Sequence, residues 1–220
     1  MKKLFFIAIF SIAVFIPQEA VGQVSFEGSY QQAFFKDASW VPLHDQTVEL
    51  SGKYLLSTKD CQEISLEGYV RDVTAQGGKP SVGILSFDFM PNQNVGIKIG
   101  GGINFSPEGN HTRGRMELFI QSNEIYYIDL VGEAGGATGY YWNGELILKA
   151  TSYFNVGFMA DRNWLRTGDP EDGYGPRVEI NATGTPPLLF FGGAIFPWGD
   201  SGGIEKKTPG GYAGISIFLN

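Results

Sequence analysis

The chain has almost none of the residues that carry catalytic or metal chemistry. It holds one cysteine, Cys61, and two histidines, His44 and His111, in 220 residues. A single cysteine excludes an intramolecular disulfide framework and a paired-cysteine zinc site. No H-E-x-x-H pattern occurs, so the commonest zinc-protease signature is missing. Basic charge is also scarce. Sixteen Lys and Arg stand against 23 Asp and Glu, a formal net charge of -7. That balance argues against nucleic acid as a partner, which needs clustered cations. Beyond residue 23 no run of about eighteen apolar residues appears, so a helical membrane span is excluded there. No stretch of useful length shows the 3.6-residue period of an amphipathic helix.

What is present begins with a short basic and apolar N-terminus. Lys2 and Lys3 precede the apolar stretch from Leu4 to Ile16, and Ala20-Val21-Gly22 supplies small residues. This is the pattern of a secretory signal peptide over residues 1–22, with a mature domain over 23–220. No cysteine follows the apolar stretch, so it is not a lipoprotein signal.

The mature chain is rich in glycine (31 residues) and aromatics (14%), and it alternates. In the stretch 113–150, Gly114, Met116, Leu118 and Ile120 oppose Arg113, Arg115, Glu117 and Gln121. Tyr126, Ile128 and Leu130 oppose Tyr127, Asp129 and Glu133, and then Tyr140, Trp142, Leu146 and Leu148 oppose Asn143, Glu145 and Lys149. Period-two runs of about ten residues have the length of tilted strands that cross a bilayer. Similar runs recur from Val24 to Leu219, giving about twelve strands, an even number. Leu188 to Phe196 is apolar on both faces, so its facing stays ambiguous. Longer, Gly-rich or charged connections (36–46, 74–80, 107–112, 162–175 and 199–211) alternate with tighter ones. The reading is a closed antiparallel up-and-down transmembrane β-barrel, all-β, with loops at one end and turns at the other.

In this pattern the chain resembles the bacterial outer-membrane β-barrel families, as a small porin-like barrel. Its last strand is similar to the one that the barrel-insertion machinery reads, with Tyr212, Gly214, Ile217 and Leu219 at the expected spacings, although it ends Phe218-Leu219-Asn220 rather than on an aromatic. The signal-peptide style and the Gly- and aromatic-rich composition resemble proteins of the Bacteroidetes group. The resemblance implies outer-membrane lipid and the insertion machinery as partners.

If the apolar parity faces lipid, a charged set faces the lumen. The candidate pore wall is Lys53, Glu67, Arg71, Lys98, Arg113, Arg115, Glu117, Asp129, Glu145, Lys149, Arg177 and Glu179, with Glu27, Glu49, Asp88, Glu133 and Asp161 on the same parity. Lys98, Arg113 and Arg115 are expected to form a basic patch beside an acidic one of Asp129, Glu133 and Glu145. The near balance of signs argues against strong selectivity for either charge. Two arrangements fit: a water-filled pore guiding small polar solutes or ions, or a lumen closed by paired charges. Aromatics near strand ends (Phe34, Phe35, Tyr126, Tyr140, Trp142, Tyr153, Phe158 and Phe196) suit the interfacial girdles of a barrel.

Other chemistry is weakly supported. Ser106, Glu108, Asn110 and His111 crowd one expected loop, whereas catalytic residues need rigid elements to hold them in register. Asp169, Glu171 and Asp172 lack the spacing of a calcium loop and read as a solvated acidic loop. The runs Gly100-Gly101-Gly102 and Gly192-Gly193 sit in strand patterns with no helix following, so close packing explains them better than phosphate binding. No cofactor and no catalytic residue is expected. The function expected is a narrow pore for passive passage of small polar solutes or ions. The alternatives are a non-conducting structural or adhesive barrel and a secreted soluble β-sandwich or ligand-binding barrel.

Overall fold

The computed structural model describes residues 24–36, 42–59, 62–74, 81–106, 109–122, 125–135, 139–164, 173–198 and 209–219. Residues 1–22, expected to be a signal peptide, lie outside the described residues, as do Cys61, Glu108 and residues 169–172.

The period-two runs form twelve strands: β1 (Val24–Lys36), β2 (Pro42–Lys59), β3 (Gln62–Thr74), β4 (Ser81–Asn92), β5 (Val95–Ser106), β6 (Gly109–Ser122), β7 (Tyr126–Gly135), β8 (Gly139–Lys149), β9 (Phe154–Trp164), β10 (Gly173–Ala182), β11 (Leu188–Pro197) and β12 (Gly210–Leu219). Each strand pairs antiparallel with its sequence neighbours, and the sheet closes into a barrel between β1 and β12. The closing ladder runs from Phe26↔Leu219 to Phe34↔Gly211. Closure removes the sheet edges, which is what a strand wall in hydrocarbon requires.

One end carries the connections 60–61, 93–94, 123–125, 150–153 and 183–187, the other 37–41, 75–80, 107–108, 136–138, 165–172 and 198–209. The tight end uses turn chemistry. Asn94 N–H donates to the Asn92 side-chain oxygen at 2.8 Å, and Thr151 Oγ1 accepts from the N–H groups of Tyr153 and Phe154 at 3.2 and 2.9 Å; Asn and Thr side chains commonly fix turns this way. The strands run further than the hydropathy pattern implies. Gly109–Thr112 belong to β6, not to a loop, and β2 already begins at Pro42. Polar residues at strand ends hide the pattern, while the backbone ladder continues through Asn104↔His111 and Ser106↔Gly109.

Parity divides the wall. Leu85, Ile99 and Met116 are 62%, 63% and 61% exposed on the outside, and register continues that face as Ile99↔Met116↔Gly132 and Leu118↔Leu130. Among the described strand side chains, Arg162 is the one charge on the outward parity, and it sits at the loop end of β9. Charges elsewhere on that face would cost about 2–4 kcal/mol each near a bilayer midplane. The apolar β11 takes its facing from its partner: Phe191 pairs with Glu179 and Gly193 with Arg177, so Phe191 and Ile195 are buried inside with Tyr212.

Aromatics ring the outside at both ends. Tyr153 and Phe154 are exposed at the turn end, and Tyr140, Phe158, Tyr174 and Phe196 at or near the loop end. At the loop end Tyr174 packs 4.7 Å from Trp198 and Trp142 6.0 Å from it, centroid to centroid. Trp198 Nε1–H donates to the Asp161 carbonyl at 2.7 Å, and the Arg162 guanidinium lies 5.8 Å from its ring centre. An amphipathic ring with a satisfied N–H suits the membrane–water boundary. The side chains of Phe34 and Phe35 lie outside the described residues.

Candidate functional site

The inward parity brings most of the charged residues to one interior. The large arginines need space in the wall, and glycines provide it. Arg113 stands between Gly102 and Gly135, Arg115 beside Gly100, and Arg177 beside Gly157 and Gly193 on its two neighbouring strands. A bare glycine on each side lets a long side chain lie against the sheet. This places the glycine runs noted in the sequence in the packing of the arginines.

Three ion-pair groups result. In the first, Glu133 is 3% exposed and gathers three guanidinium groups. Arg113 Nε and Arg71 Nη2 donate to its Oε2 at 2.7 and 3.1 Å, and Arg115 Nη1 donates to Oε1 at 2.6 Å. Arg115 Nη2 also donates to Glu117 Oε2 at 2.8 Å. Lys98 Nζ then bridges Glu117 Oε1 at 2.8 Å and Glu67 Oε2 at 2.7 Å. The chain of contacts leaves β3 at Arg71, crosses to β7, returns through β6 and β5, and re-enters β3 at Glu67. Arg71 thus spans a chord of four strands, not a neighbouring pair. Its guanidinium lies 4.6 Å from the Tyr141 ring centre, and that of Arg115 lies 4.4 Å from Tyr69, adding cation–π contacts.

The second group is built on Arg177, whose Nε donates to Glu179 Oε1 at 2.9 Å and whose Nη1 donates to Glu145 Oε1 at 3.1 Å. Phe191 lies under it at 4.4 Å, and Asn155 donates to Glu179 at 3.2 Å. The third group lies toward the turn end. Lys53 Nζ contacts Glu63 at 2.5 Å and Asp88 at 3.0 Å, and Ser65 donates to Asp88 at 3.2 Å.

The lumen retains a cavity of about 550 Å³, bordered by residues from every strand except β4. β4 lies behind the first network, so the filled side of the lumen is the β3–β7 side. Of the residues expected to line a pore, Glu67, Arg71, Lys98, Arg115, Glu117, Asp129, Glu145, Arg177 and Glu179 border this cavity, together with Glu27, Glu49 and Asp161. Lys53, Arg113 and Lys149 do not border it. Arg113 is buried against Glu133, and Lys53 is held at the third group.

The two expected patches do not stand side by side. Glu133, assigned to the acidic patch, is the carboxylate on which Arg113 and Arg115 of the basic patch close. Lys98 is taken by Glu67 and Glu117. Arg115 stands directly opposite Glu133 in the β6–β7 ladder and Lys98 opposite Glu117 in the β5–β6 ladder, so grouping residues by sign hid pairings that strand register makes; Arg71 and Glu67 then join from β3. The cross-lumen reach of Arg71 leaves no local sequence signal. Tyr127, expected on the charged face, borders the cavity together with Tyr69 and Tyr141, polar-tipped rings whose alternation alone does not mark them as lining residues. The crowded group at 106–111 is likewise dispersed: Asn110 and His111 are successive residues of β6 and point to opposite faces of the wall. Among the described residues no cluster of three or more His, Cys, Asp or Glu is arranged to hold a metal ion.

No family model and no curated protein matches the sequence. Solved structures do. The barrel is similar to the COG4313 outer membrane channel from Pseudomonas putida F1, with a TM-score of 0.62 at 10% identity, covering 93% of this chain and 99% of that one. It is also similar to the KdgM porin, with a TM-score of 0.54 at 10% identity, covering 88% and 98%. A second KdgM porin structure, determined in complex with disordered oligogalacturonate, matches with a TM-score of 0.54 at 9% identity. The closed twelve-strand antiparallel barrel, apolar outside and charged within, has the fold of outer-membrane porin-like channels.

Proposed function

We propose that this chain is an outer-membrane barrel that passes small polar solutes or ions passively through its charged lumen, residues 1–22 serving as the export signal. The observation that carries the reading is the inversion of polarity. A continuous apolar belt faces outward, while among the described residues twelve acidic or basic side chains border a cavity of about 550 Å³. A soluble barrel or sandwich places the opposite faces in those positions. The cavity lies within the ordinary range for a small-molecule site, about 300–1,000 Å³. The chord from Arg71 to Glu133 crosses part of the lumen and narrows the path. Glu67, Arg71, Lys98, Arg115, Glu117, Asp129, Glu145, Arg177 and Glu179 form the wetted wall in this reading, Lys53 and Arg113 are held in ion pairs away from it, and Lys149 lies off the cavity border. One KdgM porin structure contains oligogalacturonate; passage of a solute carries over to this chain, the acidic oligosaccharide does not.

Proteoliposome swelling tests the reading. Vesicles holding the purified, folded barrel are expected to swell with glycerol or a pentose and not with a trisaccharide. Folded, inserted protein that admits none of them would favour the non-conducting structural or adhesive barrel, and release of folded protein into buffer without detergent would favour the soluble one.

A further inference from the structure

We infer that the lumen prefers small cations over anions, an inference that rests on the pore reading above. Counted along the strands, the inward charges look nearly balanced. The cavity itself is not balanced. Among the described residues, Glu27, Glu49, Glu67, Glu117, Asp129, Glu145, Asp161 and Glu179 border it against Arg71, Lys98, Arg115 and Arg177. Eight carboxylates against four cations leave a formal excess of four negative charges at the cavity surface.

The four cations are also spoken for. Arg71 and Arg115 both close on Glu133 behind the wall, Lys98 lies between Glu67 and Glu117, and Arg177 between Glu145 and Glu179. A guanidinium or ammonium held at contact with carboxylates presents a permeating anion with a dipole or a net negative group, not an open positive site. The reverse does not hold for every acid. Among the described residues Glu27, Glu49 and Asp129 make no ion pair; Glu49 is held instead by the Tyr69 hydroxyl, which donates at 2.7 Å. Glu27 is on β1 and Asp129 on β7, six strands apart in either direction around the twelve-strand barrel, so they face each other across the lumen. Both border the same cavity as Lys98 and Glu117. A solute crossing that cavity passes carboxylates on opposite walls. Because no three acids converge as a metal site among the described residues, the carboxylates act as a field that raises the local concentration of cations, not as a chelator.

The test is the reversal potential of the reconstituted full-length barrel between about 0.1 M and 1 M KCl, where exposed charge is screened over about 10 Å and 3 Å respectively. Wild-type protein is expected to give a potassium-to-chloride permeability ratio above 3. The triple variant Glu27→Gln, Glu49→Gln and Asp129→Asn leaves the three ion-pair groups in place and is expected to conduct with a ratio near 1. Single Glu27→Gln, expected to give an intermediate ratio, keeps the test open should the triple variant fail to insert. A conducting wild-type barrel with a ratio of 1 or less, or a triple variant with an undiminished ratio, overturns this inference alone. A folded barrel that never conducts overturns the pore reading and this inference with it.

Discussion

Replacing Glu133 with glutamine is the sharpest perturbation of the lumen. Three guanidinium groups share this one carboxylate, at 2.7, 3.1 and 2.6 Å. Each charge-assisted bond contributes about 1.5–3 kcal/mol. The amide of glutamine keeps one accepting oxygen but loses the charge, so three cations are left converging on a neutral group. Arg71 and Arg115 border the cavity and regain water, which removes most of their share of the loss. Arg113 is 5% exposed and does not border the cavity, so its share persists. The expected destabilisation is therefore about 3–5 kcal/mol, the range for breaking a buried pair by removing one partner. Arg71→Gln deletes one of the three contacts at the wetted surface and is expected to cost about 1 kcal/mol or less. In the double variant that cost disappears, because the contact is already gone, giving a coupling of about 1 kcal/mol. Urea unfolding of barrels refolded in vesicles, followed by tryptophan fluorescence and by the boiling-dependent shift in gel mobility, measures all three. A Glu133→Gln midpoint indistinguishable from wild type would refute the assignment of Glu133 as the hub.

Three further outcomes follow. Leu130→Lys places a charge on the exposed outer face of β7 and is expected to destabilise the inserted barrel by about 2–4 kcal/mol, against little effect from Ser29→Lys at the cavity border; vesicle unfolding curves compare them. Gly193→Val puts a Cβ onto the Pro176 carbonyl and within 3.1 Å of the Tyr212 ring, so the variant is expected to yield little or no heat-modifiable folded form. Arg71→Ala removes the longest reach across the lumen and is expected to raise single-channel conductance by about half or more, since pore width limits flow; unchanged conductance would place the constriction elsewhere.

The fold was legible because the alternation shows on both faces, apolar outside and charged within. Met116, Leu118 and Ile120 against Arg115 and Glu117 suffice to orient β6. β11 was not legible, since the lumen wall there is itself apolar: Leu189 and Phe191 point inward while Leu188 and Phe190 point outward. Strand ends were also misread, as with Gly109–Thr112, because polar residues end the apolar alternation while the hydrogen-bonded ladder continues through them. In the lumen the sequence supplied the inventory but not the pairings. Arg71 and Glu133 are 62 residues and four strands apart, and only closure of the barrel brings them together. Closure also sorts the charges by depth, hiding Arg113 and Glu133 while leaving Glu27 and Asp129 at the cavity, which a count along the strands cannot separate.

The most direct test of the central claim is single-channel recording from the purified, folded barrel in a planar bilayer. Passage through a charged, narrowed lumen predicts discrete conductance steps, small relative to a wide general porin and larger in Arg71→Ala. Stable insertion with no steps in either protein would contradict it.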